Sequence, residues 1–216
     1  MNMNQNIFDS RAIRRTDCYA QRFMRPGRYS YAILPAGTAA LSEERPHMIV
    51  VKDGKKDGEM KQHNVFIKGR GAQYAPDNKE LTIDVGDLVL WNCVSADVPP
   101  FVIAGDQAFF DSGRLTNECG YSHAFGHPGE YSWKDAYGSG IGGVVKVVDP
   151  ACKCEADIRK WRAKLGDGTI VMIADGKAQP DKVEIVTGQT VFFAVVTSPG
   201  ISITDERFLE QASSYC

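Results

Sequence analysis

Two stretches of the sequence decide the architecture: IFDSRAIRRTDCYAQRFMRPGRYSY at residues 7–31 and FFDSGRLTNECGYSHAFGHPGEYSW at residues 109–133. They align without a gap and share Phe-Asp-Ser, Pro-Gly and a Tyr-Ser-aromatic ending. A second match, VEIVTGQTVFF at 183–193 on LTIDVGDLVLW at 81–91, has the same offset of 102 residues. Two matches at one offset indicate an internal duplication.

The repeat divides the chain into one complete unit and two half-units. We expect residues 63–149 to form the complete unit. Residues 1–51 repeat only its second half, and residues 168–216 repeat only its first half. Residues 52–62 are predicted to be a polar linker, and residues 150–167 a second linker that carries a short helix.

The half-units need each other, because either one alone would expose strand edges and half of a hydrophobic core. The sequence therefore predicts that residues 168–216 complete residues 1–51. The halves can close within one chain, as a circularly permuted domain, or between chains by exchange of strands. Two unrelated β extensions are the alternative.

The local patterns predict an all-β protein. Frequent Gly and Pro punctuate segments rich in β-branched and aromatic residues. One segment breaks the pattern: EADIRKWRAKLGDG at 155–168 places Ile158, Trp161 and Leu165 at helical spacing and ends at Gly166, which predicts a short linker helix.

The complete unit resembles the cupredoxin family, the β-sandwich proteins that include plastocyanin and azurin. The segments that carry the resemblance are LTIDVGDLVLWNCVSADVPPFVI (81–103), FFDSGRL (109–115), HAFGHPGEYSW (123–133) and YGSGIGGVVKV (137–147). The resemblance implies a Greek-key sandwich. Together with the half-units it implies two such sandwiches, one contiguous and one assembled from the two ends of the chain.

The copper ligands of that family are missing at the corresponding positions. Pro100 stands at the first histidine, Asp135 at the cysteine, Gly138 at the second histidine and Ile141 in the region of the axial methionine. The half-repeats place Gly200, Ile33 and Gly37 at the first three of these positions. A type 1 copper site needs two imidazoles and a thiolate, so we expect neither metal nor other cofactor there.

Two other groups of residues could bind a metal. His123 and His127 would share one face if their strand continued to the turn, and Cys152 and Cys154 form a C-x-C pair that Cys18, Cys119 or Cys216 could complete. The competing interpretation makes the histidines partly solvated residues near a strand end and the cysteines free thiols in a loop. No catalytic constellation is visible, since no histidine keeps a constant offset from the repeated Asp-Ser pair.

Composition excludes several classes of partner. The formal net charge is −2 and no basic face is evident, which argues against nucleic-acid binding. No apolar run approaches the roughly 20 residues of a membrane helix. The N-terminal residues lack the apolar segment of a secretory signal, so we expect a cytoplasmic protein with free thiols, unless the leader of an exported protein has been removed.

Three functions are left for a cupredoxin-like chain without copper ligands. The first is a non-catalytic structural or interaction protein, an oligomeric scaffold or an accessory subunit of a larger complex, which binds a protein partner or itself. We expect self-association to use the glycine-rich loop around residues 137–143. The second is a divergent copper-binding or electron-transfer protein that uses His47, His63, His123, His127 or the cysteines. The third is an enzyme with a site between the units.

Overall fold

Strands account for most of the regular structure. The computed structural model describes residues 7–38, 44–54, 59–105 and 110–213. The first eight strands are β1 (Asp17–Arg22), β2 (Gly27–Pro35), β3 (His47–Lys52), β4 (Gln62–Arg70), β5 (Gln73–Pro76), β6 (Glu80–Asp84), β7 (Leu88–Asn92) and β8 (Phe101–Gly105). The next eight are β9 (Cys119–Ala124), β10 (Gly129–Lys134), β11 (Gly142–Val148), β12 (Thr169–Ala174), β13 (Lys177–Gln179), β14 (Lys182–Val186), β15 (Thr190–Val195) and β16 (Thr204–Asp205).

The strands form three sheets, which confirms the predicted all-β class. One sheet has eight strands in the order β13-β12-β15-β9-β1-β7-β4-β5. Two sheets have four strands each, in the orders β6-β3-β2-β8 and β14-β11-β10-β16. The smaller sheets pack against the two halves of the large one in a sandwich-like arrangement, as ring contacts such as Tyr31–Trp91 and Trp133–Phe193 show.

The duplication is visible in the strand pairing. β1 to β8 and β9 to β16 pair among themselves in the same way: β2 lies between β3 and β8, and β10 lies between β11 and β16. The turns also match, since Gly86 and Gly188 both have positive φ, 95° and 92°, a conformation that glycine adopts without steric cost. The two structural repeats are therefore residues 7–105 and 110–213.

This pairing corrects the expectation that 168–216 would complete 1–51. The strands β12, β14 and β16 pair with β15, β11 and β10, all from the second half of the chain. The N-terminal strands β1, β2 and β3 pair with β7, β8 and β6. Residues 63–149 therefore do not form a contiguous sandwich, and each repeat instead pairs strands from its own two ends.

The reason for the difference lies in the duplication itself. Both arrangements contain the same kinds of strand pair. In the expected one β9 to β11 would pair with β6 to β8, whereas in the structure β1 to β3 take that place and β9 to β11 pair with β14 to β16. The alternation of apolar side chains sets which face of a strand is buried and is the same for both copies. Only the connections between the strands distinguish the two arrangements.

The two repeats join along β1 and β9, which pair antiparallel. Tyr19 lies directly opposite Tyr121, its own equivalent at the offset of 102, so this pair marks a pseudo-two-fold axis through the large sheet. Because the sheet continues through this junction, the edges that β1 and β9 would otherwise expose are both satisfied.

The repeats also exchange their first segments. Phe8 of the first repeat packs against His123, Phe125 and Phe193 of the second. Phe110 of the second repeat packs against Phe23, Tyr31 and Trp91 of the first. Each ring thus completes the core of the other repeat.

Backbone contacts fix the same exchange. The Ser10 hydroxyl accepts the Ile203 N–H at 3.1 Å, and the Ser112 hydroxyl accepts the Ile103 N–H at 3.0 Å. The repeated Asp-Ser pair is therefore part of the exchanged segment, where each serine caps a strand of the opposite repeat.

The described residues include two helices, α1 (Glu155–Lys164) and α2 (Glu206–Ser213). The first is the helix expected in the linker, and its Trp161 indole donates to the Thr187 carbonyl at 2.9 Å. The second packs on β10 and β16. Neither combines the length and the hydropathy that a membrane-crossing helix requires.

Candidate functional site

One end of the second repeat is closed by a buried carboxylate, Asp135, which the family resemblance places at the copper-binding cysteine. Asp135 follows β10 and is 5% exposed. Its Oδ1 accepts the N–H groups of Ser202 at 2.8 Å and Tyr137 at 3.1 Å, and its Oδ2 accepts the N–H of Ser139 at 3.0 Å. Both oxygens are therefore used to hold the backbone of the loop and of the segment before β16.

These contacts determine the protonation state of Asp135. Burial raises its pKa, but the backbone N–H groups of Ser202, Ser139 and Tyr137 outweigh the burial, and the pKa lies below its ordinary value. The group is thus a carboxylate at neutral pH, and its charge is balanced by N–H dipoles.

The other two degenerate positions of this loop are filled by residues without donor side chains. Gly138 is exposed and has a φ of 86°. Ile141 is buried, and its carbonyl accepts the Asp135 N–H at 2.9 Å. The loop from 135 to 141 is therefore closed on itself by Asp135.

Pro100 does not belong to the same end as Asp135, which corrects the grouping made from the contiguous unit. Its carbonyl accepts the Ala36 N–H at 3.0 Å and the Tyr74 hydroxyl at 3.1 Å, both from the first repeat. The other ligand-position residues of the first repeat are Ile33 and Gly37. Ile33 lies opposite Ile103 in the β2–β8 pair. The residue that faces Asp135 is Ser202, two residues after Gly200.

The ligand-position residues of both repeats do not fit type 1 copper. The first repeat offers Ile33, Gly37 and Pro100, and the second offers Asp135, Gly138, Ile141 and Gly200. One engaged carboxylate is the only donor side chain in these two sets, whereas blue copper needs a thiolate and imidazoles.

His123 lies at the junction of the repeats, in a buried hydrogen-bonded cluster. Its Nδ1 is 2.6 Å from the Oδ1 of Asp17, and the Tyr121 hydroxyl donates to the same oxygen at 2.9 Å. The Asp17 Oδ2 accepts the Arg14 N–H at 2.8 Å. Both His123 and Asp17 are buried. This cluster was missed from the sequence because Asp17 and His123 are 106 residues apart.

The pseudo-two-fold axis places a different set of residues at the opposite end of the junction. Cys119 corresponds to Asp17, and Gln21 corresponds to His123, with Gln21 opposite Cys119 in the β1–β9 pair. The Tyr19 hydroxyl donates to the Gln21 side chain at 3.1 Å. We call the end with Asp17 and His123 the charged end, and the end with Cys119 and Gln21 the neutral end. The two ends give a matched comparison within one chain.

His123 and His127, a candidate two-imidazole patch if their strand continued to the turn, do not lie on one face. The strand β9 ends at Ala124, and His127 is exposed in the turn that follows. The His127 carbonyl accepts the Tyr131 hydroxyl at 2.9 Å. One imidazole faces the core and the other faces solvent, so they do not form a two-imidazole patch.

The two remaining histidines lie apart in the first repeat. His63 Nε2 is 2.8 Å from the Oδ2 of Asp87, which also accepts the Asp84 N–H at 3.3 Å. Burial raises the pKa of Asp87, but the hydrogen bonds from His63 and from backbone N–H groups bring it below its ordinary value. His47 is buried beside Tyr31, with ring centroids 5.2 Å apart, and burial and then the charge of Lys79 lower its pKa.

The cysteines fall into two classes. Cys152 and Cys154 are exposed just before α1, and Cys154 Sγ is 3.4 Å from Asp157 Oδ2. Burial raises the pKa of the other described thiols, to about 12 for Cys18 and Cys119 and to about 11 for Cys93. Cys216 lies outside the described residues. Buried thiols of this kind are poor metal ligands at neutral pH, because the thiolate is the ligand.

In the described part of the chain, no three His, Cys, Asp or Glu side chains come together in a group that could hold a metal. The candidate ligands from the sequence are therefore not brought together there.

The outer face of the eight-stranded sheet is a feature that the sequence analysis did not identify. On β12, Val171 and Ile173 point into the core, whereas Ile170 and Met172 are 58% and 51% exposed. On β4, at the far side of the sheet, Phe66 is 38% exposed. The strand TIVMIA carries apolar residues on both faces, and this lack of alternation was the available signal.

Comparison with known proteins adds no identification. No protein-family model, curated protein or solved structure matches the chain significantly. Function must therefore be argued from the geometry of these sites.

Proposed function

We propose that this chain is a non-catalytic interaction protein, an oligomeric scaffold or an accessory subunit of a larger complex. In this proposal each repeat is a cupredoxin-like Greek-key sandwich whose copper end has become structural. The support is the two-layer packing of each repeat, together with the sequence motifs that resemble the family.

The observation that carries the proposal is the role of Asp135. Asp135 stands at the position of the copper-binding cysteine in the family. Its two carboxylate oxygens accept three backbone N–H groups, those of Ser202, Tyr137 and Ser139. It ties the loop after β10 to the strand region before β16. A residue used in this way stabilises the end of a sandwich, and binding a metal there would require breaking those bonds.

Copper binding is the experiment that separates this proposal from the divergent copper protein. Protein purified without chelator is titrated with Cu(II) and followed by visible absorption, by voltammetry and by thermal unfolding. We expect a colourless, redox-silent protein whose melting temperature does not rise with copper. Stoichiometric copper that produces strong visible absorption, and that is lost in His47→Ala or His127→Ala, would favour the alternative.

A third function, an enzyme with a site between the units, has one observation in its favour. Asp17, Tyr121 and His123 form a hydrogen-bonded cluster at the junction of the repeats. A carboxylate that orients an imidazole is an arrangement used in acid–base catalysis. We nevertheless favour a structural role for the cluster, because His123 is 2% exposed and is covered by Phe8 and Phe125.

A further inference from the structure

A cavity of about 410 Å³ lies at the charged end of the junction between the repeats. We call it the junction pocket. It is lined by the turn before β1, the loop after β7 and the residues that follow His123, so both repeats contribute to it. Its volume is in the range of small-molecule sites, which occur preferentially at such junctions.

The junction pocket is basic, although the chain as a whole has a net charge of −2. Arg14 and Arg15 contribute two guanidinium groups and His127 contributes an imidazole, and none of the described residues that line the pocket is Asp or Glu. Asp97 follows Ala96 in the chain, but it is exposed and does not belong to the lining. A concave surface with charge of one sign attracts ligands of the opposite sign.

The two guanidinium groups are not neutralised by the protein itself. Among the described residues, neither Arg14 nor Arg15 forms an ion pair. Arg14 is half-buried, and its Nη1 donates to the Ile7 carbonyl at 2.8 Å. This bond orients the side chain and uses only one of the five N–H donors of a guanidinium group. An oriented guanidinium with further donors matches the geometry of carboxylate and phosphate.

The backbone that presents the arginines is held in place by Asp17. The Asp17 Oδ2 accepts the Arg14 N–H at 2.8 Å, and the Asp17 N–H donates to the Arg14 carbonyl at 2.9 Å. Arg15 is therefore a central residue of a tight turn. Ile13 and Phe101 exchange two backbone hydrogen bonds, at 2.8 and 3.1 Å, which join this turn to the loop after β7. The pocket is thus preorganised, which lowers the cost of binding a ligand.

The neutral end of the junction differs at the equivalent positions. At the offset of 102 residues, the turn residues Arg14, Arg15 and Thr16 are replaced by Thr116, Asn117 and Glu118. Arg22 stands in place of Ala124 and pairs with Glu118 at 3.7 Å. The neutral end therefore places an ion pair where the charged end has a small side chain and unpaired cations, so the basic pocket is not a general consequence of the repeat.

Much of the remaining lining is apolar and includes Ile7, Val98 and Ala124. We propose that the junction pocket binds a small organic anion, whose carboxylate or phosphate head contacts Arg14 and Arg15 and whose apolar body packs on these side chains. An inorganic ion would leave the apolar surface in water, and a neutral apolar molecule would give the guanidinium groups no acceptor. This ligand site goes beyond the proposed function and does not depend on a protein partner.

Isothermal titration calorimetry of the full-length chain at low salt tests the chemistry of the ligand. The probes are 2-naphthyl phosphate and 2-naphthoate, which carry a charged head and an apolar body, 2-naphthol, which lacks the charge, and inorganic phosphate, which lacks the body. We expect both naphthyl anions to bind at a single site, about tenfold or more tightly than 2-naphthol or inorganic phosphate. Absence of binding would overturn the proposal. Equal binding of 2-naphthol or of inorganic phosphate would also overturn it, because one half of the proposed recognition would then contribute nothing.

Two pairs of variants test the location of the site. Arg15→Gln and Ala96→Glu make the lining less positive. Arg25→Gln and Val94→Glu make the same charge changes at exposed positions outside it. Arg25 is the equivalent of His127 at the neutral end, and Val94 lies in the same loop as Ala96.

We expect Arg15→Gln and Ala96→Glu each to weaken the binding of 2-naphthyl phosphate by about tenfold or more, and each control to change it by less than about twofold. Thermal unfolding of all four variants checks that they are folded, and all four substitutions are at exposed positions. Binding that is unchanged in both pocket variants, or that is weakened as much by the controls, would place the anion elsewhere and overturn the proposal.

Discussion

At the residue scale, Asp135 has a structural role, because its two carboxylate oxygens accept three backbone N–H groups. Its equivalent in the first repeat is Ile33, which is packed in the core. The resemblance of the sequence to cupredoxins places both residues at the position of the copper-binding cysteine, and this correspondence stays a prediction. The sequence could not predict that the carboxylate would be satisfied by Ser202, since that contact spans 67 residues.

The Asp135→Asn variant is expected to lose about 1.5–3 kcal/mol of stability at neutral pH, the range for hydrogen bonds to a charged group. An amide can accept with one atom only, so at least one backbone N–H would lose its acceptor. The pKa of Asp135 is lower in the folded state than in the unfolded state. Its contribution is therefore complete above the unfolded pKa, near 3.9, and is lost as pH falls through the folded pKa.

Urea denaturation of wild type and Asp135→Asn between neutral and acid pH measures this effect. The gap in unfolding free energy should be constant at neutral pH and should shrink as pH falls below about 4. A gap that is the same at all pH values would show that the charge of Asp135 does not contribute.

Tyr131 and Tyr29 give a second comparison at the residue scale. They occupy equivalent positions, and each hydroxyl donates to the carbonyl four residues earlier, at His127 and Arg25, at 2.9 Å. Tyr131 is buried, whereas Tyr29 is partly exposed. We expect Tyr131→Ala to cost about 3–5 kcal/mol and Tyr29→Ala clearly less, because less apolar surface is returned to water. Equal losses in chemical denaturation would mean that the two rings are buried alike in solution.

At the element scale, several strands and the helix α1 could be predicted because their signals are local. Alternating or continuous apolar residues between Gly and Pro turns indicate strands, and the 155–168 pattern indicates a helix. The pairing could not be predicted in the same way. β9 resembles β1 so closely that either strand could pair with β7 or with β15. The alternation of apolar residues within the strands is the same for both pairings.

The buried cluster on β1 and β9 belongs to this scale, because it joins two elements that are far apart in sequence. We expect Asp17→Ala to cost about 3–5 kcal/mol, since it removes the acceptor of His123, Tyr121 and the Arg14 N–H inside the core. The control is Cys119→Ala, the equivalent position at the neutral end, where only a weak thiol contact to Thr116 is lost.

Chemical denaturation of both variants checks this prediction. The loss for Asp17→Ala should exceed that for Cys119→Ala by at least about 2 kcal/mol. Similar losses would show that the Asp17 cluster only fills space at the junction.

At the scale of the whole molecule, the chain resembles a homodimer whose two copies have been fused. β1 and β9 pair about a pseudo-two-fold axis, and the segments at Phe8 and Phe110 are exchanged between the repeats. The outer face of the eight-stranded sheet could not be predicted from the sequence, because it exists only once the order of the eight strands is known. Its strands come from both repeats.

The fused-dimer organisation predicts that the covalent link between the repeats is dispensable once the protein has folded. A protease site inserted between Gly105 and Phe110 allows the folded chain to be cut there. The fragments still share the β1–β9 strand pair, the exchanged phenylalanines and the serine caps at Ile103 and Ile203. We expect them to co-elute in size-exclusion chromatography at the volume of the uncut protein, although denaturing electrophoresis separates them.

Deletion of residues 1–51 is the matched test, because it removes strands rather than a connection. It takes away β1, β2 and β3, which are the partners of β7, β8 and β6. In the observed arrangement residues 62–105 should then become protease-sensitive, while β10 to β16 keep their strand partners and β9, which loses β1, keeps β15. Had residues 63–149 formed the contiguous sandwich, the same deletion would leave 62–105 protected and expose the C-terminal strands instead. Limited proteolysis with mass spectrometry of the fragments therefore decides between the two pairings of one repeated sequence.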